Sequence, residues 1–239
     1  MGLVPTINLS NVAVTRGLVG YWLGGTQGVP KLGTVRDLSG NGNNGTCVAD
    51  AYVGREGGVL DGTGDYISIG NYPIFDFENY TPFSVFMWCK ISSLAANRFL
   101  VAKELNSVPY RGWYTIVTTA GKYTVVFQSN ATVYKSVQTN YTLSTGVWYH
   151  LGFSHSGEIT RGVGPIAFYR NGNYDPDDVC PSDVLDANTI ASSASLNIGA
   201  RDNGGVPHAG DIADVRIYNR ALSAAEINQI YDTTKWRFR

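Results

Sequence analysis

The 239-residue chain is poor in charge and in cysteine. Only 15% of its residues are charged, and 18 Lys and Arg face 19 Asp and Glu for a net charge of -1. That balance excludes a basic surface able to follow nucleic-acid phosphates or to hold an anionic membrane. No run of about 18 apolar residues occurs, which excludes a membrane-spanning helix. Met1 to Arg16 lack the basic stretch and apolar run of a secretory signal. Three cysteines, Cys47, Cys89 and Cys180, cannot all pair within one chain, and no Cys-x-x-Cys spacing points to zinc or redox chemistry. Cys89 lies in an alternating segment and reads as a small core residue, while a Cys47 to Cys180 disulfide is left open.

What is present in quantity is apolar and turn-forming. Hydrophobic residues make up 44% of the chain, enough for a sizeable core, and 28 glycines and 15 tyrosines go with short strands and many turns. Alternating segments recur at 18–23, 58–69, 98–103, 113–118, 123–128, 133–139 and 147–154. Phe83 to Ile91 also alternates, yet Phe86 and Trp88 load its second face, which predicts a central strand buried on both sides. Ile166 to Gly172 ends in Asn-Gly, a strong hairpin signal. Near the end, Ile212, Asp214, Arg216 and Tyr218 alternate with Ala213, Val215, Ile217 and Asn219 as in a strand. Ser223 and Glu226 then form a capping box, and Leu222 and Ile227 a hydrophobic staple, so a helix follows. The expected fold is all-β, a two-sheet antiparallel β-sandwich with one short C-terminal helix. An arm is expected over 1–17, one domain over 18–231 and a tail over 232–239.

Eight motifs in order resemble the laminin G-like group of the concanavalin A-like lectin and glucanase jelly rolls. They are Gly20-Tyr21-Trp22, the Asp37 to Gly45 loop, Leu60 to Ile67, Phe83 to Lys90, Trp148-Tyr149-His150, Tyr169 to Gly172, Leu196 to Gly199 and Gly210 to Tyr218 running on into Arg220-Ala221-Leu222-Ser223. The resemblance implies a jelly roll. It also implies a structural calcium site, for which Asp37, Asn41, Asn43 and Asp214 are the candidates; such a loop supplies the oxygens calcium takes. Ala213 stands where the family usually carries Asp, leaving fewer side-chain ligands. The alternative is a loop held by side-chain to backbone bonds.

Hydrolysis is not expected. Glucanases of this fold resemble one another in a Glu-x-Asp-x-Glu strand, which places two carboxylates on one face, and no glutamate here begins that pattern. His150 and His155 are five apart on a strand and face opposite sides, and His208 in its Gly/Pro loop reads as a solvated residue. Tyr110, Trp113 and Tyr174 are the candidates for stacking on a glycan. Trp236, Arg237 and Phe238 are the candidates for docking on a partner, since Trp and Arg favour interfaces. The function expected is non-catalytic recognition, most of all a virion surface component such as a bacteriophage capsid decoration or fibre protein that binds a glycan or cell-surface polysaccharide. The rivals are an extracellular lectin module of a secreted protein and, behind it, a glycosidase.

Overall fold

The computed structural model describes residues 14–24, 29–158, 165–176, 179–185 and 189–238. Most of the arm expected over 1–17, Asp177 and Asp178, and Arg239 lie outside the described residues. In chain order the strands begin with β1 (Leu18–Trp22), β2 (Thr34–Val35), β3 (Gly45–Val48), β4 (Tyr52–Val53), β5 (Gly58–Asp61), β6 (Tyr66–Gly70), β7 (Phe83–Ile91) and β8 (Arg98–Glu104). They continue with β9 (Gly112–Val117), β10 (Tyr123–Gln128), β11 (Tyr134–Gln138), β12 (Trp148–His155), β13 (Ile166–Arg170), β14 (Asn173–Asp175), β15 (Val179–Asp183), β16 (Leu196–Ile198) and β17 (Ala209–Tyr218). One helix, α1 (Ala224–Thr234), follows, so the boundary expected at 231 falls inside it.

The strands form two antiparallel sheets. One runs β14-β13-β12-β7-β17-β5-β4 with β1 added beside β17, and the other runs β15-β11-β10-β9-β8-β16-β6-β3-β2. Alternation along each strand turns one face of each sheet inward, and the two inward faces share one core. Phe83, Val85, Met87 and Cys89 of β7, Trp113 and Val117 of β9, Tyr123, Val125 and Phe127 of β10, and Leu151 and Phe153 of β12 meet there. The expected Asn-Gly hairpin joins β13 to β14, with Asn171 at φ 51° and Gly172 at φ 80°. Cys47, Cys89 and Cys180 are all free, which settles the open pairing.

Strand β7 is central, and its second face is covered as expected. Phe86 packs with Leu222, Ile227 and Ile230, and Trp88 with Ala213 and Phe238. Helix α1 is therefore laid on the outside of the β7 sheet by the apolar side chains that faced away from the core. Its start is the expected capping box: Ser223 Oγ accepts from the Glu226 amide and the Glu226 carboxylate accepts from the Ser223 amide at 2.9 Å.

Strand β17 departs from simple alternation. Its residues 209–212 pair with β5 and residues 215–218 with β1, and between these stretches its register against β7 shifts. Asp214, at φ 50°, is the extra residue of a bulge. Ile212, Val215 and Ile217 all enter the core as a result, although strict alternation separates Ile212 from Ile217. The outermost strands are β14 at one edge of the first sheet and β4 and β1 at the other, and β15 and β2 in the second sheet.

Candidate functional site

The outward face of the β8–β9 region carries more apolar surface than a solvated sheet face needs. A bulge between Phe99 and Val101 puts Leu100 and Val101 in the core and leaves Phe99 and Ala102 on the other side, where Ile116 lies opposite Phe99 and Tyr114 opposite Ala102. Phe99, Ala102 and Ile116 form an apolar floor that is itself closed, at most 7% exposed, and the half-buried Tyr114 ring tilts over Phe99 with centroids 5.0 Å apart. Among the described residues the α-helix lies against the other sheet, so this floor has no helix over it.

A fixed charge pair borders the floor. Glu104 ends β8 opposite Gly112, whose φ of 148° and lack of a side chain let the strands close there; a Cβ on Gly112 would lie 2.4 Å from the Glu104 Cα. Arg201, in the turn after β16, donates through Nε to Glu104 Oε2 at 2.9 Å and through Nη2 to Oε1, a bidentate pair. The same guanidinium lies 5.4 Å from the Phe99 ring centre. Burial pushes the Glu104 carboxyl up, and Arg201 opposes that shift. Burial also raises the Tyr114 phenol, with Glu104 and Tyr134 adding to the shift and Arg201 opposing it. Next to the pair, buried Asn197 donates to the Arg201 carbonyl, and its Oδ1 has no hydrogen-bond partner among the described residues. What this face offers outward is the half-buried Tyr114 ring and the half-buried Arg201 guanidinium held by Glu104, an aromatic face and an N–H edge suited to the apolar side and hydroxyls of a sugar, while Asn197 is 1% exposed.

Of the residues expected to stack on a glycan, Tyr110 lies in the β8–β9 turn beside this face, at φ 57° and close enough for its phenol to act on Arg201. Trp113 is a correction: it is 1% exposed, faces the core against Phe77 and Phe83, and donates its indole N–H to the Phe75 carbonyl. It lies near the start of β9, the strand expected over 113–118, on the inward phase. Tyr174 is 54% exposed but sits on β14 against Tyr169, in the other sheet. Glu104, Arg201, Phe99 and Tyr114 were not foreseen. The available signal was a pair of neighbouring strands with rings on both phases.

The calcium candidates are drawn into other contacts. Asp37 accepts the amides of Tyr21 and Ser39 through Oδ1 and that of Asn43 through Oδ2. Asn41 and Asn43 direct their Nδ2 donors at the Val19 carbonyl. Asp214 accepts from Arg216 Nε at 2.6 Å, from the Tyr21 hydroxyl at 3.1 Å and from Arg237 Nη1 at 3.2 Å. Among the described residues no three His, Cys, Asp or Glu side chains gather as metal ligands. As arranged, this donor set does not fit calcium, and two guanidinium groups stand at its buried carboxylate.

The docking candidates are likewise engaged within the chain. Arg237 binds Asp214 and the Gly24 carbonyl, and Phe238, 8% exposed, stacks on Trp88 at 4.5 Å and against Trp148 at 4.7 Å. Trp236 is 58% exposed and remains available. His208 is buried rather than solvated, its ring against the Lys90 carbonyl. His150 and His155 face opposite sides as expected, His155 bonding to the carbonyls of Asn79 and Pro165.

Comparison with known proteins places these features in context. A profile of the Concanavalin A-like lectin/glucanases superfamily matches residues 61–228. No curated protein sequence matches significantly. Among solved structures, the botulinum neurotoxin serotype D binding domain superposes with a TM-score of 0.64 at 18% identity, over 92% of this chain and 52% of that one. The serotype D ligand binding domain in complex with N-acetylneuraminic acid gives 0.66 at 17% identity, over 92% and 51%. A mutant Trypanosoma rangeli sialidase displaying trans-sialidase activity gives 0.65 at 15% identity, over 93% and 34%. The chain thus spans about half the length of the neurotoxin domains and about a third of the sialidase. At these identities the likeness is one of fold.

Proposed function

Because the chain belongs to the Concanavalin A-like lectin/glucanases superfamily, we propose that it is a non-catalytic recognition domain that binds a glycan on the outward face of β8 and β9. The observation that carries this reading is the half-buried Tyr114 ring seated on the buried cluster of Phe99, Ala102 and Ile116, with the Glu104–Arg201 pair beside it. A sugar ring would stack on the outward side of Tyr114, with its hydroxyls toward the Tyr114 phenol and the guanidinium edge of Arg201. Two solved neighbours named above are binding domains, and one holds N-acetylneuraminic acid, which supports a sugar as the ligand class. A hydrolytic role is disfavoured by chemistry: both Glu104 oxygens are held by Arg201, whereas glycoside cleavage takes two carboxyl groups flanking the bond.

A glycan array that includes sialylated and neutral structures tests the proposal. Saturable binding is expected, and Tyr114→Ala is expected to weaken it by about tenfold, the loss of one stacked ring. An array with no saturable signal, or a Tyr114→Ala variant that binds as the parent does, would refute it. Turnover of a β-glucan abolished by Glu104→Gln would instead favour the glycosidase.

The proposal extends to display on a virion surface, the setting expected from the sequence. With Arg237 and Phe238 engaged within the domain, attachment would fall to Trp236 or to the arm. Co-sedimentation with purified particles, lost on Trp236→Ala or on removal of the arm, is the result expected there. A chain that stays in the supernatant would rule that setting out.

A further inference from the structure

On the outside of the other sheet, Trp88 lies opposite His150 and Lys90 opposite Trp148, so the two indoles stand diagonally on neighbouring strands. Helix α1 adds Tyr231, and the chain after it adds Lys235 and Phe238. With Asn171 these residues enclose a cleft of about 230 Å³. The volume falls below the roughly 300 Å³ at which pockets for drug-sized ligands begin, which leaves room for one ring and not for an oligosaccharide.

The charges around the cleft cancel. Lys235 pairs with Asp232 at 2.6 Å and Lys90 with Asp211 at 2.5 Å, and Lys90 also lies 5.1 Å from the Trp148 ring centre. Glu56 accepts the Trp148 indole N–H at 3.3 Å. Paired cations and occupied carboxylates give an ionic ligand little advantage, whereas the aromatic faces favour an apolar one that also bears hydroxyls. A second observation concerns His150, 1% exposed, whose ring packs on Trp88 at 5.3 Å and Tyr231 at 5.9 Å. Neither of its nitrogens has a hydrogen-bond partner among the described residues. His150 does not line the cleft: it packs behind Trp88 and Tyr231 and holds these two walls in place.

We propose that this cleft is a second binding site, separate from the β8–β9 face, and that it takes a single neutral sugar ring stacked on Trp148 and Tyr231. Lys235 and Asn171 lie beside such a ring and donate to its hydroxyls. The site does not depend on the β8–β9 reading.

The test is a titration of the Tyr114→Ala protein, followed by the indole N–H resonances of Trp88 and Trp148. The probes are methyl α-D-glucopyranoside, methyl α-D-mannopyranoside, methyl β-D-galactopyranoside and N-acetylglucosamine at millimolar concentration. At least one is expected to shift the Trp148 resonance saturably. Tryptophan fluorescence then compares the variants. Trp148→Ala is expected to weaken binding about tenfold and Trp148→Phe, which keeps an aromatic face, far less. Lys235→Ala removes a half-exposed side chain and its pair with Asp232, a surface pair of little weight for the fold, and is expected to weaken binding about threefold, the loss of one hydrogen bond. The proposal is overturned if none of the four sugars shifts Trp148, if the Ala and Phe variants lose binding equally, or if Lys235→Ala binds as its parent does. Loss of array binding in Tyr114→Ala with the cleft titration intact separates the two sites.

Discussion

Replacing Asp214 removes the acceptor shared by three groups. Its carboxylate is 1% exposed and takes hydrogen bonds from Arg216, Arg237 and the Tyr21 hydroxyl. Burial by itself would lower the Arg216 pKa; the charge of Asp214 reverses this, and the guanidinium is raised. Asp214→Ala leaves two guanidinium groups in a buried place without a counter-charge, and breaking a buried pair costs about 3–5 kcal/mol. A backbone at φ 50° adds to this, because Ala tolerates the left-handed region less well than Asp or Asn, by about 1 kcal/mol. The expected total is about 4–6 kcal/mol, against a whole-domain stability of about 5–15 kcal/mol. At about 2–4 °C per kcal/mol for a chain of this size, the melting midpoint falls by roughly 10–20 °C. Asp214→Asn keeps the backbone preference and one acceptor oxygen, so its loss is expected to be smaller by about 1–2 kcal/mol. Urea unfolding with calorimetry measures both variants. An Ala variant that loses less than about 1 kcal/mol would refute the claim that this carboxylate balances two buried cations.

Other outcomes follow from the same contacts. Calcium depletion with excess chelator is expected to leave the melting midpoint unchanged, since Arg216 and Arg237 stand at Asp214; a fall restored by calcium would contradict this. Burial pushes the His150 imidazolium down to about 3. The unfolded chain takes that proton near pH 6.5 and the folded chain does not, so stability is full above that pH and declines as pH falls toward 3. One unit below the unfolded value the share is about 1.4 kcal/mol, and His150→Phe is expected to lose that much less than the parent between about pH 7.5 and 5.5. His208, pushed down to about 4 by burial, acts in the same direction. The Glu226 carboxyl is held down to about 2, chiefly by Arg220, with burial opposing and Ser223 assisting. Its contribution is present above about pH 4.3 and lost as pH falls toward 2, so Glu226→Gln is expected to cost about 1 kcal/mol at neutral pH and progressively less in acid.

The fold was legible where pattern and local chemistry agreed. Strand alternation, Asn171-Gly172 and the Ser223–Glu226 box each act over a few residues, and each holds in the structure. The bulge at Asp214 was not legible, because period-two reading assumes one residue per step, and an inserted residue inverts the phase of everything after it. A related limit made Trp113, at the start of the strand expected over 113–118, look available to a ligand: which way it faces is set by Gly112 against Glu104, a contact between strands. Tyr110 was found near the site because turns advertise themselves in sequence. Glu104 and Arg201 were not, since 97 residues separate them and only the register of β8 with β16 brings them together. The tail was misread for a related reason: Arg237 and Phe238 find their partners on β7, β12 and β17, far earlier in the chain.

The outermost strands have a consequence for how copies of this domain meet. Strands β2 and β4 are two residues long and β14 is three, β15 carries Pro181, which has no amide hydrogen to offer, and the outer edge of β1 is taken up by the loop after β2, where Asp37 accepts the Tyr21 amide and the Leu38 amide donates to the Tyr21 carbonyl. A neighbouring chain seeking to extend either layer by main-chain bonding finds almost no ladder to continue. Crowded at high local density, these domains should stay separate bodies and not fuse into ribbons.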